Sequence, residues 1–268
     1  MLKHNTAYTL SILIAVLAAI ASAGGLFLNG LYRDNLFVVS AWKGNDLITL
    51  FVAVPILVAA LILSERGSLK ARLVWVGVLD YMLYNYAFYL FGAVFNWFFL
   101  LYVALLGLSI FALIFALIQL DVGGISQRVH PRMPVKVIAA YMLFVAAGLT
   151  LIYVAQSLGF IFTGEIPSIV AMSGHPTSIV FALDLTLLVP VLLLGGVWIL
   201  GRKPWGFVLA GISTVKGPLY TLVLTAGSLW AANAGVEGVG GEVPLWITLT
   251  VLGLIAAGLF YANIQANQ

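Results

Sequence analysis

Three ionisable residues lie inside long apolar runs of this chain: Asp80, Asp184 and Lys216. Inserting each of them into hydrocarbon costs at least ~2.5 kcal/mol on the most lenient scale, so we expect none of them to face lipid. We expect them to face the protein interior, each other or water. A buried lysine can contact an anionic solute or act as a counter-charge, and buried carboxylates can accept a proton or a cation.

The sequence next to Lys216 is unfavourable for a regular helix. Gly217 and Pro218 follow the lysine directly, and Pro218 cannot donate a backbone hydrogen bond. We therefore expect a kinked or unwound segment, which a membrane tolerates where it is buried in protein or lines a cavity. Ser213, Lys216 and Tyr220 share one helix face by their spacing. The sequence thus predicts a binding site built around this face.

Four tyrosines and an aspartate occupy a second stretch, residues 80–89. Asp80 and Tyr84 lie one helical turn apart, and Asn85 is about 100° from Tyr84 around the helix. An aromatic stripe of this kind is typical of helix packing. A stripe that ends at an aspartate also suits a path or a flat apolar ligand site. Both interpretations stay open, and Asp80, Tyr84 and Asn85 join the candidate site residues.

The composition indicates which elements position these residues. Hydrophobic residues make up 63% of the 268-residue chain and charged residues 8%, and the mean hydropathy is +1.14. Soluble domains carry about 25% charged residues, so the bilayer must be the solvent for most of this chain. We therefore predict an all-α polytopic membrane protein that forms a single membrane domain over residues 1–268.

Eight apolar runs predict eight transmembrane helices. The runs are Tyr8–Gly30, Leu47–Leu63, Leu73–Val94, Trp97–Leu120, Val137–Gly159, Thr177–Leu200, Trp205–Ala231 and Pro244–Ala262. Position along the runs puts Lys216 near the midplane and Asp184 within about 10 Å of the same level. Because their two runs are joined by a short turn, we expect Asp184 to pair with Lys216, directly or through water.

Basic residues are distributed unevenly over the predicted loops. An even number of spans places both termini on one side, and only Arg33 and Lys43 lie on the other side. The basic residues on the side of the termini are Lys3, Arg66, Lys70, Arg72, Arg128, Arg132, Lys136, Arg202 and Lys203. This bias predicts a multi-pass plasma-membrane protein with both termini in the cytoplasm. It also accounts for the net charge of +3 without nucleic acid as a partner.

Two halves of the chain show weak similarity. Val-Pro pairs occur at residues 54–55 and 189–190, and Asn85 aligns with Lys216 when the halves are superposed. Four spans in each half would make the halves parallel, related by an axis along the membrane normal. The sequence therefore predicts a 4+4 internal repeat with halves 1–130 and 131–268.

Several classes of chemistry have no support in the sequence. The chain has no cysteine, and its three histidines are scattered, so we predict no metal site. It has no phosphate loop, no zinc-binding helix and no Gly-x-Ser-x-Gly turn, so an enzyme is not favoured. No cofactor is assigned.

The buried charges favour a transporter or channel for a small solute, ion or proton, with the lipid bilayer as its surroundings. A ligand-binding protein is an alternative, since Lys216 resembles in position the retinal-carrying lysine of microbial rhodopsins. Those proteins usually carry an aspartate four residues before the lysine, where this chain has Ile212, and they have seven helices. A structural subunit of a membrane complex and a homo-oligomer are further open alternatives.

Overall fold

The described part of the chain, residues 2–265, is helical and contains no β-strand in the computed structural model; side chains are described from residue 6 onward. The helices are α1 (Leu2–Phe27), α2 (Leu36–Glu65), α3 (Leu69–Gly92), α4 (Phe99–Ile118), α5 (Val122–Gln127), α6 (Val135–Thr163), α7 (Ser168–Ser173), α8 (Ile179–Leu200), α9 (Pro204–Asn233) and α10 (Val243–Ala262). The predicted all-α class is confirmed.

Seven of these helices are long and apolar enough to cross a membrane: α1, α2, α4, α6, α8, α9 and α10. Helix α3 has 24 residues and, at 1.5 Å per residue, spans about 36 Å. It is less apolar than the seven because it carries four tyrosines, Asp80 and Asn85. The multi-pass membrane fold therefore rests on seven helices, and the eighth span remains a prediction.

Helix α2 begins 11 residues before the predicted span Leu47–Leu63. The sequence interpretation placed residues 31–46 in a loop because several of them are polar, and this was wrong. Asn35 caps the helix by accepting a hydrogen bond from the backbone N–H of Val38 at 3.0 Å. The polar residues that follow are satisfied within the bundle. Ser40 donates to the carbonyl of Leu36, and Asn45 donates to that of Ala41.

The long helices alternate in direction, so their connections collect at two ends of the bundle. At the terminal end, where residues 2 and 265 lie, the backbone N–H of His130 donates to the carbonyl of Asn263 at 2.8 Å. At the distal end, the Asn35 side chain donates to the carbonyl of Met172 at 2.9 Å. These contacts fix which loops share an end.

Helices α2 and α8 each contain one π-helical turn, at Thr49–Ala53 and at Asp184–Leu188. Each turn ends directly before a Val-Pro pair, Val54-Pro55 in α2 and Val189-Pro190 in α8. A proline interrupts the regular helical hydrogen bonds, and the wider turn absorbs that irregularity. Turns of this kind occur often at functional sites.

Helix α9 packs along α2 through a pair of glycines. A Cβ atom on Gly44 would overlap the backbone nitrogen of Gly227, and backbone atoms cannot move aside. Small residues at such crossings let helix backbones approach closely in a membrane. The glycine pair therefore sets the spacing between α2 and α9.

The alanine substitution Gly44→Ala is expected to destabilise the protein by about 1–3 kcal/mol, since overpacking costs this much. Gly107→Ala is the matched control, because a Cβ there would meet nothing within 4 Å. Thermal unfolding in detergent, followed by size-exclusion chromatography, measures the difference. Equal midpoints for the two variants would contradict the close approach of α2 and α9.

Candidate functional site

A cavity of about 500 Å³ lies between α2, α3, α6, α8, α9 and α10. Its lining reaches from the distal end, at α7, His175 and Glu242, to Ser213 and Lys216 in the middle of α9. The volume falls within the range of sites for small molecules, about 300–1,000 Å³. Most of the lining is apolar, and the polar groups lie both at the distal mouth and at the deep end.

Lys216 is buried in the middle of α9 and forms an ion pair with Asp80 of α3. The Nζ atom of Lys216 lies 3.1 Å from Oδ2 of Asp80, whose side chain is 19% exposed. The same Nζ lies 4.7 Å from the centre of the Tyr84 ring, a cation–π distance. The expectation of a direct pair between Lys216 and Asp184 was therefore wrong, and a pair through water stays a prediction. Depth along a helix does not specify which neighbour a side chain faces.

Asp184 is held by two phenols instead of by a lysine. The Tyr84 hydroxyl donates to its Oδ1 at 2.6 Å, and the Tyr153 hydroxyl donates to its Oδ2 at 2.8 Å. Asp184 opens the π-helical turn of α8 and is only 2% exposed. Its carboxylate thus lies on the cavity wall with both oxygens oriented by aromatic side chains.

Aromatic rings surround this carboxylate. The rings of Tyr84 and Tyr220 meet edge to face with centres 4.8 Å apart, and those of Tyr153 and Phe181 stack at 4.2 Å. Tyr153 is a site residue that the sequence interpretation missed. It lies in α6 among apolar residues, and no spacing pattern links it to Asp184.

The structure brings together five of the seven residues that the sequence singled out. Lys216, Asp184, Tyr84, Ser213 and Tyr220 all line the cavity.

The other two candidates, Asp80 and Asn85, lie away from the cavity lining. Asp80 contacts the cavity indirectly, through its ion pair with Lys216. Asn85 is fully buried, and its side-chain amide donates to Thr49 at 3.4 Å. Asn85 therefore belongs to the contact between α3 and α2.

The expected unwinding after Lys216 does not occur. Helix α9 runs without interruption through Gly217 and Pro218. Glycines make room for the proline and its neighbours. A Cβ on Gly253 would lie 2.7 Å from Cγ of Pro218, and one on Gly217 would lie 2.6 Å from the Tyr141 hydroxyl. The irregular turn of the site is in α8, at Asp184.

Three buried polar atoms on the cavity wall have no hydrogen-bond partner among the described residues. They are Oγ of Ser213, Oδ1 of Asn45 and Nε2 of His175. Leaving such a group unsatisfied costs about 1–3 kcal/mol, so most buried polar atoms are paired. These atoms lie behind the cavity surface, because the accessible area of each is close to zero.

A second buried carboxylate, Asp46 in α2, was also missed because it was assigned to a loop. It accepts hydrogen bonds from Tyr32 at 2.6 Å and Tyr89 at 2.9 Å. Burial and the neighbouring Asp46 raise the pKa of the Tyr32 phenol well above its usual value, so this phenol stays a donor. Asp46 does not line the cavity.

Charges on the cavity wall do not balance. Two carboxylates, Asp184 and Glu242, and one ammonium, Lys216, line it. The ammonium is already paired with Asp80, whereas Glu242 is held near the mouth by Ser228 at 3.1 Å. With all groups ionised, the deep end holds one ammonium, that of Lys216, against two carboxylates, those of Asp80 and Asp184. Low dielectric makes such an excess costly, so it favours a bound proton or cation.

Comparisons with known proteins return no match: no protein family, no curated protein and no solved structure resembles this chain. Among residues 6–265, whose side chains the structure describes, no group of three or more histidine, cysteine, aspartate or glutamate side chains is placed to hold a metal ion. The functional argument therefore rests on the geometry of the cavity.

The ion pair predicts a specific pattern of rescue. Lys216→Met leaves Asp80 without its cation, and breaking a buried pair costs about 3–5 kcal/mol. The double variant Lys216→Met with Asp80→Asn removes both charges and is expected to recover most of that loss. Thermal unfolding in detergent measures all three proteins.

The matched control combines Lys216→Met with Asp184→Asn, since Asp184 is held by phenols and not by the lysine. We expect no comparable rescue there. Rescue by Asp184→Asn and not by Asp80→Asn would show that Asp184 is the partner of Lys216 after all.

Proposed function

We propose that this protein is a transporter for a small solute, which binds in the cavity between Lys216 and Asp184. The observation that carries the proposal is the cavity itself, about 500 Å³ in volume, because it extends from the distal end to ionisable residues at mid-depth. Binding sites near the midplane, at irregular helix segments, are typical of secondary transporters.

Access to the site from the two ends differs. At the distal end, His175 and Glu242 line the cavity mouth. Beyond Lys216, toward the terminal end, Phe207, Val76 and Phe260 are almost fully buried and close the bundle. Lys216 lines the cavity and binds Asp80. A movement of α9 against α3 would therefore open the site toward the terminal side.

The full proposal includes eight spans, with α3 as the eighth helix, enclosed by the other seven. It places the terminal end in the cytoplasm, because nine of the loop basic residues lie there by sequence and two lie opposite. In a plasma membrane with this orientation, the cavity opens to the outside.

The proposal also includes the 4+4 repeat. Its support is that the two π-helical turns precede the two Val-Pro pairs, so Thr49 of α2 corresponds to Asp184 of α8. Asn85 contacts Thr49 in the first half. Its aligned counterpart Lys216 lines the same cavity as Asp184 in the second half. Similar contacts in the two halves are what a duplication would produce.

Cysteine labelling tests the transporter, because the chain has no cysteine of its own and every introduced one is unique. Leu224→Cys lies on the cavity wall at a half-buried position and is expected to react with a membrane-impermeant thiol reagent added from outside. Val76→Cys is buried next to Asp80 in α3. A transporter exposes Val76→Cys to the cytoplasmic side during part of its cycle.

Two exposed positions supply the reference for sidedness. Glu165→Cys lies in the distal loop and Gln127→Cys in α5 at the terminal end, and they are expected to label from outside and from inside respectively. If Val76→Cys never reacts from the terminal side while Gln127→Cys does, the protein binds its ligand without carrying it across. Reversed labelling of the two references would overturn the orientation.

A ligand-binding protein that carries an aldehyde on Lys216 is the second candidate. One observation favours it: the amine of Lys216 lines the cavity and has a carboxylate counter-charge at 3.1 Å. A protonated Schiff base needs such a counter-charge. The expected result is a visible absorption band when the protein is incubated with retinal.

Lys216→Ala would remove that band, and Asp80→Asn would shift it, because the counter-charge tunes the energy of the chromophore. Absorption spectroscopy of the purified protein measures both. Absence of any band from the wild-type protein would exclude this candidate for retinal.

A further inference from the structure

We infer that the ligand of the cavity is an amphiphilic amine, whose ammonium group binds Asp184 in exchange for a proton and whose apolar body lies along the cavity wall. The inference uses the binding site of the proposed function and names its substrate class. It does not depend on whether the ligand is then carried across the membrane.

The polar groups at the deep end are mainly acceptors. The carboxylate of Asp184 lies on the cavity wall and has lone pairs left after the two phenols have bound. An ammonium group carries up to three N–H donors and no acceptor, so it can bind this carboxylate without leaving an acceptor of its own unpaired.

The charges exclude an anionic head group by the same reasoning. Lys216 is the single basic side chain among the described lining residues, apart from His175 at the mouth, and it is already bound to Asp80. An anion would have to displace Asp80 and would then lie beside Asp184. A cation at Asp184 relieves the excess of negative charge.

The walls of the cavity suit an apolar body. Aromatic and branched aliphatic side chains surround the space between the carboxylate and the distal end. They include Phe37, Val38, Phe88, Leu149, Phe181 and Leu224. A small hydrophilic cation would leave this surface in contact with water. An aryl or alkyl chain buries it and gains about 25 cal/mol of binding free energy per Å² of apolar surface buried.

The distal half of helix α6 forms one side wall of the cavity. Leu149, Ile152 and Tyr153 belong to the cavity lining, and Tyr153 is held by its hydrogen bond to Asp184 and by stacking on Phe181. An amphiphilic ligand therefore enters through the distal mouth, where the lining reaches the end of the bundle.

The exchange balances in charge and protons. Before binding, a proton on one carboxyl oxygen of Asp184 offsets the excess negative charge. When the ammonium group arrives, this O–H bond breaks, the proton leaves to water through the distal mouth, and the carboxylate pairs with the cation. The titratable groups that face Asp184 are Tyr84 from α3, Tyr153 from α6, and Lys216 and Tyr220 from α9. The phenols remain donors throughout.

Three ligands with one body test the inference: 6-phenylhexylamine, 6-phenylhexanol and 6-phenylhexanoate. Isothermal titration calorimetry of the full chain in lipid nanodiscs measures their binding, and repeating it in buffers of different ionisation enthalpy gives the protons released. We expect the amine to bind at least about tenfold more tightly than the other two, with about one proton released. Tighter binding of the hexanoate, or no proton release with the amine, would overturn the inference.

The variant Asp184→Asn is expected to lose the preference for the amine and the proton release. Asp46→Asn is the matched control, because Asp46 is an equally buried carboxylate with two phenol donors that lies outside the cavity lining. It should bind the amine like the wild type. Amine binding that survives Asp184→Asn would overturn the inference.

A second measurement covers the case in which Asp184→Asn does not fold. A hydrophobic carbodiimide modifies protonated carboxyl groups in apolar sites, and mass spectrometry locates the modification on the wild-type protein. We expect Asp184 to be modified, and the amine but not the hexanol to protect it. Modification unaffected by the amine would contradict the proposed site.

The binding and labelling experiments distinguish the proposed substrate class from the proposed transport. Amine binding with proton release, together with a Val76→Cys that never reacts from the terminal side, retains the substrate class and excludes transport. Accessibility of Val76→Cys without amine binding retains transport and excludes the substrate class.

Discussion

The ion pair between Lys216 and Asp80 constrains the rest of the bundle. Either charge alone would be expensive in a low-dielectric interior, and even together the two repay their desolvation only when they are close and shielded. At 3.1 Å they are close, which requires α3 and α9 to be neighbours at mid-depth. Helix α3 can therefore be less apolar than a lipid-facing span, because its surroundings are other helices and not lipid.

Glycines set the helix distances that this pair requires. A Cβ on Gly77 of α3 would lie 2.7 Å from Cβ of Val215 and 3.2 Å from the carbonyl of Ile212. Any larger residue at position 77 would push α3 away from α9 one turn before Asp80. On the other side of α9, Gly211 admits the ring of Phe260, where a Cβ would lie 3.0 Å away. The glycines thus let the helices approach closely enough for Lys216 and Asp80 to form their ion pair.

Much of the fold could be predicted from the sequence, because apolar runs and the cost of buried charge are local properties. The partner of Lys216 could not, since depth along a helix says nothing about its rotation. The start of α2 was missed because charged residues such as Lys43 and Asp46 are typical of loops. Both residues find hydrogen-bond partners inside the bundle. Lys43 donates to the carbonyl of Leu26 at 3.1 Å. Pro218 suggested a break, but a neighbouring glycine accommodates it within a regular helix.

Asp46 and Asp184 have the same kind of hydrogen-bond donors but differ in the space beside the carboxylate. Each is a buried carboxylate that accepts hydrogen bonds from two tyrosines. Around Asp46 the packing is complete: a Cβ on Gly25 would overlap its Oδ2, so a ligand has no room there. Asp184 and its own two phenols, those of Tyr84 and Tyr153, instead line the cavity.

Whether a buried carboxylate can bind a ligand therefore depends on the space beside it as well as on its charge. The phenols of Tyr84 and Tyr153 hold Asp184 in a fixed orientation, and this lowers the ordering cost when a ligand arrives. Lys216 of the neighbouring helix α9 does not form an ion pair with Asp184, because its ammonium group is already bound to Asp80. Asp184 thus lies on the wall of a largely apolar cavity, and none of the described basic side chains forms an ion pair with it.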